Sequence, residues 1–269
     1  MGSSSVKANL LIDTGSSETV VTSELCSNCD SKVYKPGNSK STFNTGKYFQ
    51  LDYQYDNMSL KVIEFQDNVC VRDQNTCSSG FYFYSIFEQQ NLSPDADGVL
   101  GIGSTISSGP SFVIKLIDEG KIGKAMVGIY LSDNDDSHLV LGGYDSSFVE
   151  GGEDSFQWLE LTNDTEWQIA VSASNFGDQN IHKHSDRQAV LHSGTELLGV
   201  NMGDFASVSK KINSKFGKFG FTCDKNECVS KKSCDSFDMT GLDYNMTLGS
   251  DVNVIIPGPK LLIDTKNGC

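Results

Sequence analysis

Near the start of the chain an apolar run, Leu10-Leu11-Ile12, ends in Asp13 and is followed at once by Thr14-Gly15-Ser16-Ser17. This reads as a buried strand that stops abruptly in a tight turn, holding one carboxylate at a rigid strand end. Gly15 lets the backbone bend without a Cβ clash, and Thr14, Ser16 and Ser17 supply hydroxyls that can hydrogen-bond the carboxylate and keep it ionised, the state a general base requires. The same residues also suit a solvated loop. Far downstream another strand, Gln188-Ala189-Val190-Leu191, runs into His192-Ser193-Gly194-Thr195.

The elements that must position these residues read as β-structure. Residues 6 to 13 are expected as the strand feeding Asp13, and Thr19-Val20-Val21 as its short return. The Ser-, Gly-, Asn- and Lys-rich stretch from Ser23 to Lys47 reads as surface loop. From 48 to 72 apolar and polar residues alternate with the period of a hairpin whose tip falls near Asp56-Asn57-Met58. Further strands are expected over Phe81–Phe87, Gly98–Gly103, Met126–Leu131, His138–Leu141 and Trp167–Val171. Short helices are expected from Ser111 to Glu119, ending at Gly120, and over 203–215.

The 269 residues, 38% of them hydrophobic, suffice for one large all-β domain or two lobes. Lys and Arg number 21 against 35 Asp and Glu, a net charge of −14, which argues against a nucleic-acid partner. It suits an acidic compartment, although solubility alone would account for it. No apolar run is long enough to cross a bilayer. Residues 1–6 lack a basic region followed by an apolar core, so no signal peptide is expected in this chain, and Val6 departs from a myristoylation pattern.

Eight cysteines cluster as Cys26/Cys29, Cys70/Cys77, Cys223/Cys228 and Cys234 with Cys269, which suggests disulfides made in an oxidising compartment. A competing reading is a zinc site of Cys26, Cys29, His182 and His184, but the second Cys-x-x-Cys of a strong zinc signature is missing. Sequons at Asn57, Asn91, Asn163 and Asn245 also point to a secreted or vacuolar/lysosomal glycoprotein.

Taken in order, these pieces resemble the pepsin family of aspartic peptidases. Asp13-Thr14-Gly15-Ser16-Ser17 matches the first catalytic motif, Tyr55 falls at the flap tyrosine, and Asp67 follows in the second arm of that hairpin. Asp97-Gly98-Val99-Leu100-Gly101 resembles the strand that threads beneath the first catalytic loop. Leu139–Asp145 and Trp167-Gln168-Ile169 are also similar to the family, and Gln188–Leu198 lies on the second motif. The resemblance implies an all-β, bilobal pepsin-like fold with a few short helices. The expected lobes are an N-terminal one over 1–155, with the first motif and flap, and a partial C-terminal one over 156–269. It implies a peptide or protein ligand in a cleft between them, and no cofactor or metal. Asp13 and His192 are the implied catalytic positions, and Thr14, Gly15, Ser16, Tyr55, Ser193, Gly194 and Thr195 the implied substrate-binding ones.

His192 stands where the family has its second aspartate. Family chemistry uses two carboxylates sharing one proton, one acting as base on water and the other as acid toward the scissile carbonyl. With a lone Asp13 the expectation is a homologue whose hydrolysis is lost or strongly impaired. The alternative is a histo-aspartic endopeptidase with Asp13 as base and a protonated His192 as acid over a mildly acidic window. The tryptophan that supports the flap tyrosine is replaced near Val20, Asp56 replaces a glycine, and Glu196 replaces a small hydroxyl residue. Both ends look incomplete against the family, so either the natural chain continues or a partner chain covers the C-terminal lobe. Leu261-Leu262-Ile263-Asp264-Thr265 echoes residues 10–14, but Lys266-Asn267 replaces the Gly-Ser turn and argues against Asp264 as a substitute acid.

Overall fold

The computed structural model describes residues 1–269 apart from 4, 54–56, 72–75, 105–110, 133–136, 182–185, 196 and 226. The chain divides into two compact units. The first holds Met1–Phe156, Asn163–Trp167 and Val190–Thr195, and the second Gln157–Thr162, Gln168–Ala189 and Glu196–Cys269. Two short later segments, one of them carrying His192, group with the first unit.

In the first unit β1 (Leu11–Asp13), β2 (Thr19–Thr22), β3 (Phe43–Tyr53), β4 (Met58–Cys70), β5 (Cys77–Gln90) and β6 (Gly98–Gly101) form one sheet in the order β1-β6-β2-β5-β4-β3. The middle of β4 is buried on both faces. Ile63 and Phe65 pack with Phe81, Phe83 and Phe112, while Leu60 and Val62 pack with Val20, Tyr84, Ile86 and Val99. Each such side chain contributes about 2 kcal/mol by leaving water. The disulfide Cys70–Cys77 joins the facing ends of β4 and β5. Helix α1 (Phe112–Asp118) starts at Ser111, whose hydroxyl accepts the Ile114 amide, and lays Phe112 edge-on against Phe81 at 5.2 Å. The hairpin β7 (Val127–Tyr130) and β8 (His138–Leu141) follows.

In the second unit β9 (Gln168–Phe176), β10 (Gln179–Asn180), β14 (Tyr244–Leu248) and β15 (Val252–Ile256) run in the order β10-β9-β14-β15, and β11 (Gln188–Val190) also pairs with β9. Helix α2 (Met202–Phe216) and the hairpin β12 (Phe221–Cys223), β13 (Cys228–Ser230) complete it. Asn201 caps α2 by accepting the Asp204 amide at 3.0 Å, and the buried Asp204 carboxylate pairs with Arg187. Ile212 and Phe216 of α2 pack on Phe176, Phe221 and Phe237. Cys223–Cys228 and Cys234–Cys269 staple this unit, and Cys26–Cys29 the first.

Three expectations need correction. The stretch from Ser23 to Lys47 is not all surface loop: Tyr34 is 1% exposed, its ring edge-on to Phe65 and Phe83, and β3 begins at Phe43. The first strand is three residues rather than eight, because its partner β6 is only four residues long. Strand β9 runs on to Phe176 because Ala173, Ser174, Asn175 and Phe176 pair with Thr247, Met246, Asn245 and Tyr244 of a later strand, with Ser174 and Phe176 buried. Cys26 and Cys29 are joined in a disulfide, so they offer no thiolates to zinc; His182 and His184 lie outside the described residues.

Candidate active site

Asp13 sits at the C-terminal end of β1, and β6 explains why it is fixed there. β6 lies parallel to β1 on one side and antiparallel to β2 on the other, so it passes between the two arms of the 14–18 loop. The amides of Ile102, Gly103 and Gly101 donate to the carbonyls of Asp13 (2.7 Å), Ser16 (2.6 Å) and Glu18 (2.9 Å). A Cβ at Gly101 would lie 2.5 Å from the Ser17 carbonyl carbon, and one at Gly103 2.8 Å from the Ser16 oxygen. This close approach is the physical reason for glycine at both positions.

The Asp13 carboxylate, with its side chain 2% exposed, gathers three donors. Oδ1 accepts the Gly15 amide at 2.8 Å and Oδ2 the Ser16 hydroxyl at 2.5 Å, while His192 Nε2 lies 2.9 Å from Oδ1. The arrangement suits an ionised acceptor facing an imidazole that carries its proton on Nε2, a tautomer assigned from the bonding pattern. The imidazole is 8% exposed. A side chain at Gly15 would overlap it, and a Cβ at Gly194 would fall 2.7 Å from Asp13 Oδ1.

The segment bearing His192 is tied to the Asp13 loop in both directions. The Thr14 hydroxyl donates to the Leu191 carbonyl (2.7 Å) and accepts the Ser193 amide (2.8 Å). The Ser193 hydroxyl donates to the Ile12 carbonyl (2.7 Å) and accepts the Thr14 amide (3.0 Å). Trp167 closes the circuit: its indole N–H donates to the Ile102 carbonyl at 2.9 Å, and its own carbonyl accepts the Leu191 amide at 3.0 Å. Bonds thus run from Asp13 through Ile102, Trp167 and Leu191 back to Thr14. Sequence reasoning noted Trp167 without this role; an aromatic residue next to a strand start carries no mark of where its N–H will point.

Thr14, Gly15, Ser16, Ser193 and Gly194 therefore all lie against the Asp13–His192 pair or its supports, and Thr195 ends the stretch that groups with them. Tyr55, Asp56 and Glu196 lie outside the described residues. Val20 is fully buried and pairs with Tyr84, whose phenol is pushed up to about 12 by burial and the nearby Glu64 and Glu18 carboxylates. Asp67 is buried and accepts the hydroxyls of Tyr34 (2.9 Å) and Ser41 (2.6 Å). Burial is the largest cause holding the Tyr34 phenol well above its ordinary value. Asp264 accepts the Cys234 amide at 3.0 Å and so caps a turn in the second unit.

Of the sequons, Asn57 and Asn91 are exposed, with the Asn91 amide donating to the Asn57 carbonyl. Asn163 accepts the amide and hydroxyl of Thr165, each at 2.6 Å, and Asn245 is half-buried on β14 opposite Asn175 and Ile255. Among the described residues no three His, Cys, Asp or Glu side chains converge as a metal site.

The profile of the eukaryotic aspartyl protease family matches residues 1–255. Among curated relatives, syncephapepsin of Syncephalastrum racemosum is 26% identical over 84% of this chain and 59% of its own length. Cathepsin E of Aquarana catesbeiana is 26% identical over 88% and 61%, and pepsin A of Sus scrofa 29% identical over 88% and 63%. The chain thus spans about three fifths of the length of the relatives it matches. The match over nearly the whole chain, together with the mostly β architecture, makes it a member of the eukaryotic aspartyl protease family.

Proposed function

We propose that the Asp13–His192 pair marks a peptide-binding site of the pepsin-like type whose power to hydrolyse is lost or strongly reduced. The observation that carries this reading is the 2.9 Å approach of His192 Nε2 to Asp13 Oδ1. That oxygen also receives the Gly15 amide, so both of its lone-pair directions are occupied, and Oδ2 already holds Ser16. These three donors leave a water activated by Asp13 only the remaining lone-pair site of Oδ2. A neutral imidazole whose Nε2 proton is committed to Asp13 also supplies no acid toward a scissile carbonyl, whereas the two-carboxylate device shares one proton between water and substrate.

The same short distance favours a second reading, in which Asp13 is the base and a protonated His192 the acid of a working endopeptidase. The two separate in one experiment, digestion of an unfolded protein substrate between about pH 3 and 6. On the first reading the native chain cuts no faster than Asp13→Asn, and His192→Asp raises the rate by about two powers of ten or more. Cutting by the native chain that is abolished in Asp13→Asn overturns it. A bell-shaped pH profile whose alkaline limb disappears in His192→Asp then establishes the second. A thermal shift with a statyl-type peptide inhibitor reads binding apart from turnover.

We infer that the chain matures in an oxidising compartment, secreted or vacuolar/lysosomal, with glycans on the exposed Asn57 and Asn91. Four disulfides support the compartment. No helix of the described residues is long and apolar enough to cross a membrane.

A further inference from the structure

The second unit contains a cavity of about 600 Å³ that the Asp13–His192 chemistry does not use. One wall is the segment 157–162, which lies beside β9 through the Thr162 amide on the Gln168 carbonyl and the bridge of Leu161 with Ile169. The opposite wall is the β14–β15 turn, held by the Gly249 amide on the Ala170 carbonyl. Leu159 is pinned against Gly249 and packs on Ile169, Val171 and Leu248, so the floor is anchored in the core of the unit. Its size lies in the range of sites that take a small molecule or a side chain.

The lining has a consistent chemistry. Trp158 stands 73% exposed at the cavity although it is one of only two tryptophans in the chain. Glu160 and Asp251 also line it, and among the described residues no lysine, arginine or histidine does. The Ser250 hydroxyl donates to Asp251 Oδ1 at 3.0 Å. An indole face offered with two carboxylates favours a cation carrying an apolar stem, and a guanidinium best of all, because its plane stacks on the indole while its N–H groups meet the carboxylates.

We propose that this cavity is a binding site for an arginine side chain presented by a peptide. The assignment stands apart from whether Asp13 and His192 hydrolyse anything.

The test uses the whole chain labelled with nitrogen-15, whose two indole N–H resonances are distinguished with Trp158→Phe. N-acetyl-arginine amide is expected to move the Trp158 resonance saturably, with a Kd on the order of a millimolar, and to leave the Trp167 resonance in place. The uncharged isostere N-acetyl-citrulline amide is expected to bind at least about tenfold more weakly, and added salt to weaken the arginine probe further. In the double variant Glu160→Gln, Asp251→Asn the response to arginine falls to the citrulline level, while an unmoved Trp167 resonance shows that the fold is intact. Equal responses to the two probes, no saturable response, or full binding by the double variant would each overturn the proposal.

Discussion

The loops that carry Asp13 and His192 are held in different ways. The first has a strand of its own: β6 enters between its arms, the amides of residues 101–103 donate to three of its backbone carbonyls, and the fit requires that residues 101 and 103 have no side chain. The supports found for the second, over 190–195, come from Ile12, Thr14 and Trp167. One loop is thus threaded by a strand, while the bonds described for the other run to β1, to the first loop and to Trp167. Damage to the first should spread to both, whereas damage to the second should stay local.

The largest effect is expected from Gly101→Ala. Its new methyl would meet the backbone of Ser17 and Glu18, where nothing flexible can yield, so a loss of about 3 kcal/mol in urea unfolding is expected. Hydrogen exchange should then quicken at the amides of both Gly15 and Ser193. Protection retained at Ser193 would show that the second loop has support of its own.

Thr14→Val comes next, because one hydroxyl serves two backbone groups across the loops. A cost of about 1–2 kcal/mol is expected, with faster exchange at Ser193 and little change at Ile102, whose amide is bound to the Asp13 carbonyl. Equal loss of protection at Ile102 would mean that the loops open as one body.

The smallest effect should come from Glu119→Gln, which touches neither loop. Burial pushes this carboxyl up, but the Lys115 ammonium at 3.1 Å and the Ser78 hydroxyl at 3.0 Å outweigh it and hold it below its ordinary value. Its stabilising contribution is therefore present above the ordinary carboxylate range and is lost as pH falls through the lowered folded value. The variant should lose a few tenths of a kcal/mol near neutrality and converge with the native chain near pH 3. A gap that persists in acid would assign the effect to packing.

The same contrast explains what could be read in advance. Asp13 and its turn were legible because an apolar run ending in Asp-Thr-Gly is a local signal, and so were α1 and α2, whose apolar residues recur at helical spacing. The burial of Tyr34 was not, because its partners Phe65, Phe83 and Asp67 lie at least 31 residues away. Nor was the Trp167 circuit, in which every bond depends on where separate strands arrive. The two-residue strand β10 likewise owes its existence to β9 rather than to its own Gln179-Asn180.

Gly15 and Gly194 leave the imidazole a recess that belongs to the backbone rather than to histidine. A shorter acid would sit in that recess without disturbing Thr14, Ser193 or Trp167, and histidine and aspartate codons differ by a single base. In evolutionary terms, position 192 is a low step between neighbouring chemistries, open to passage in either direction while the surrounding architecture stands unchanged.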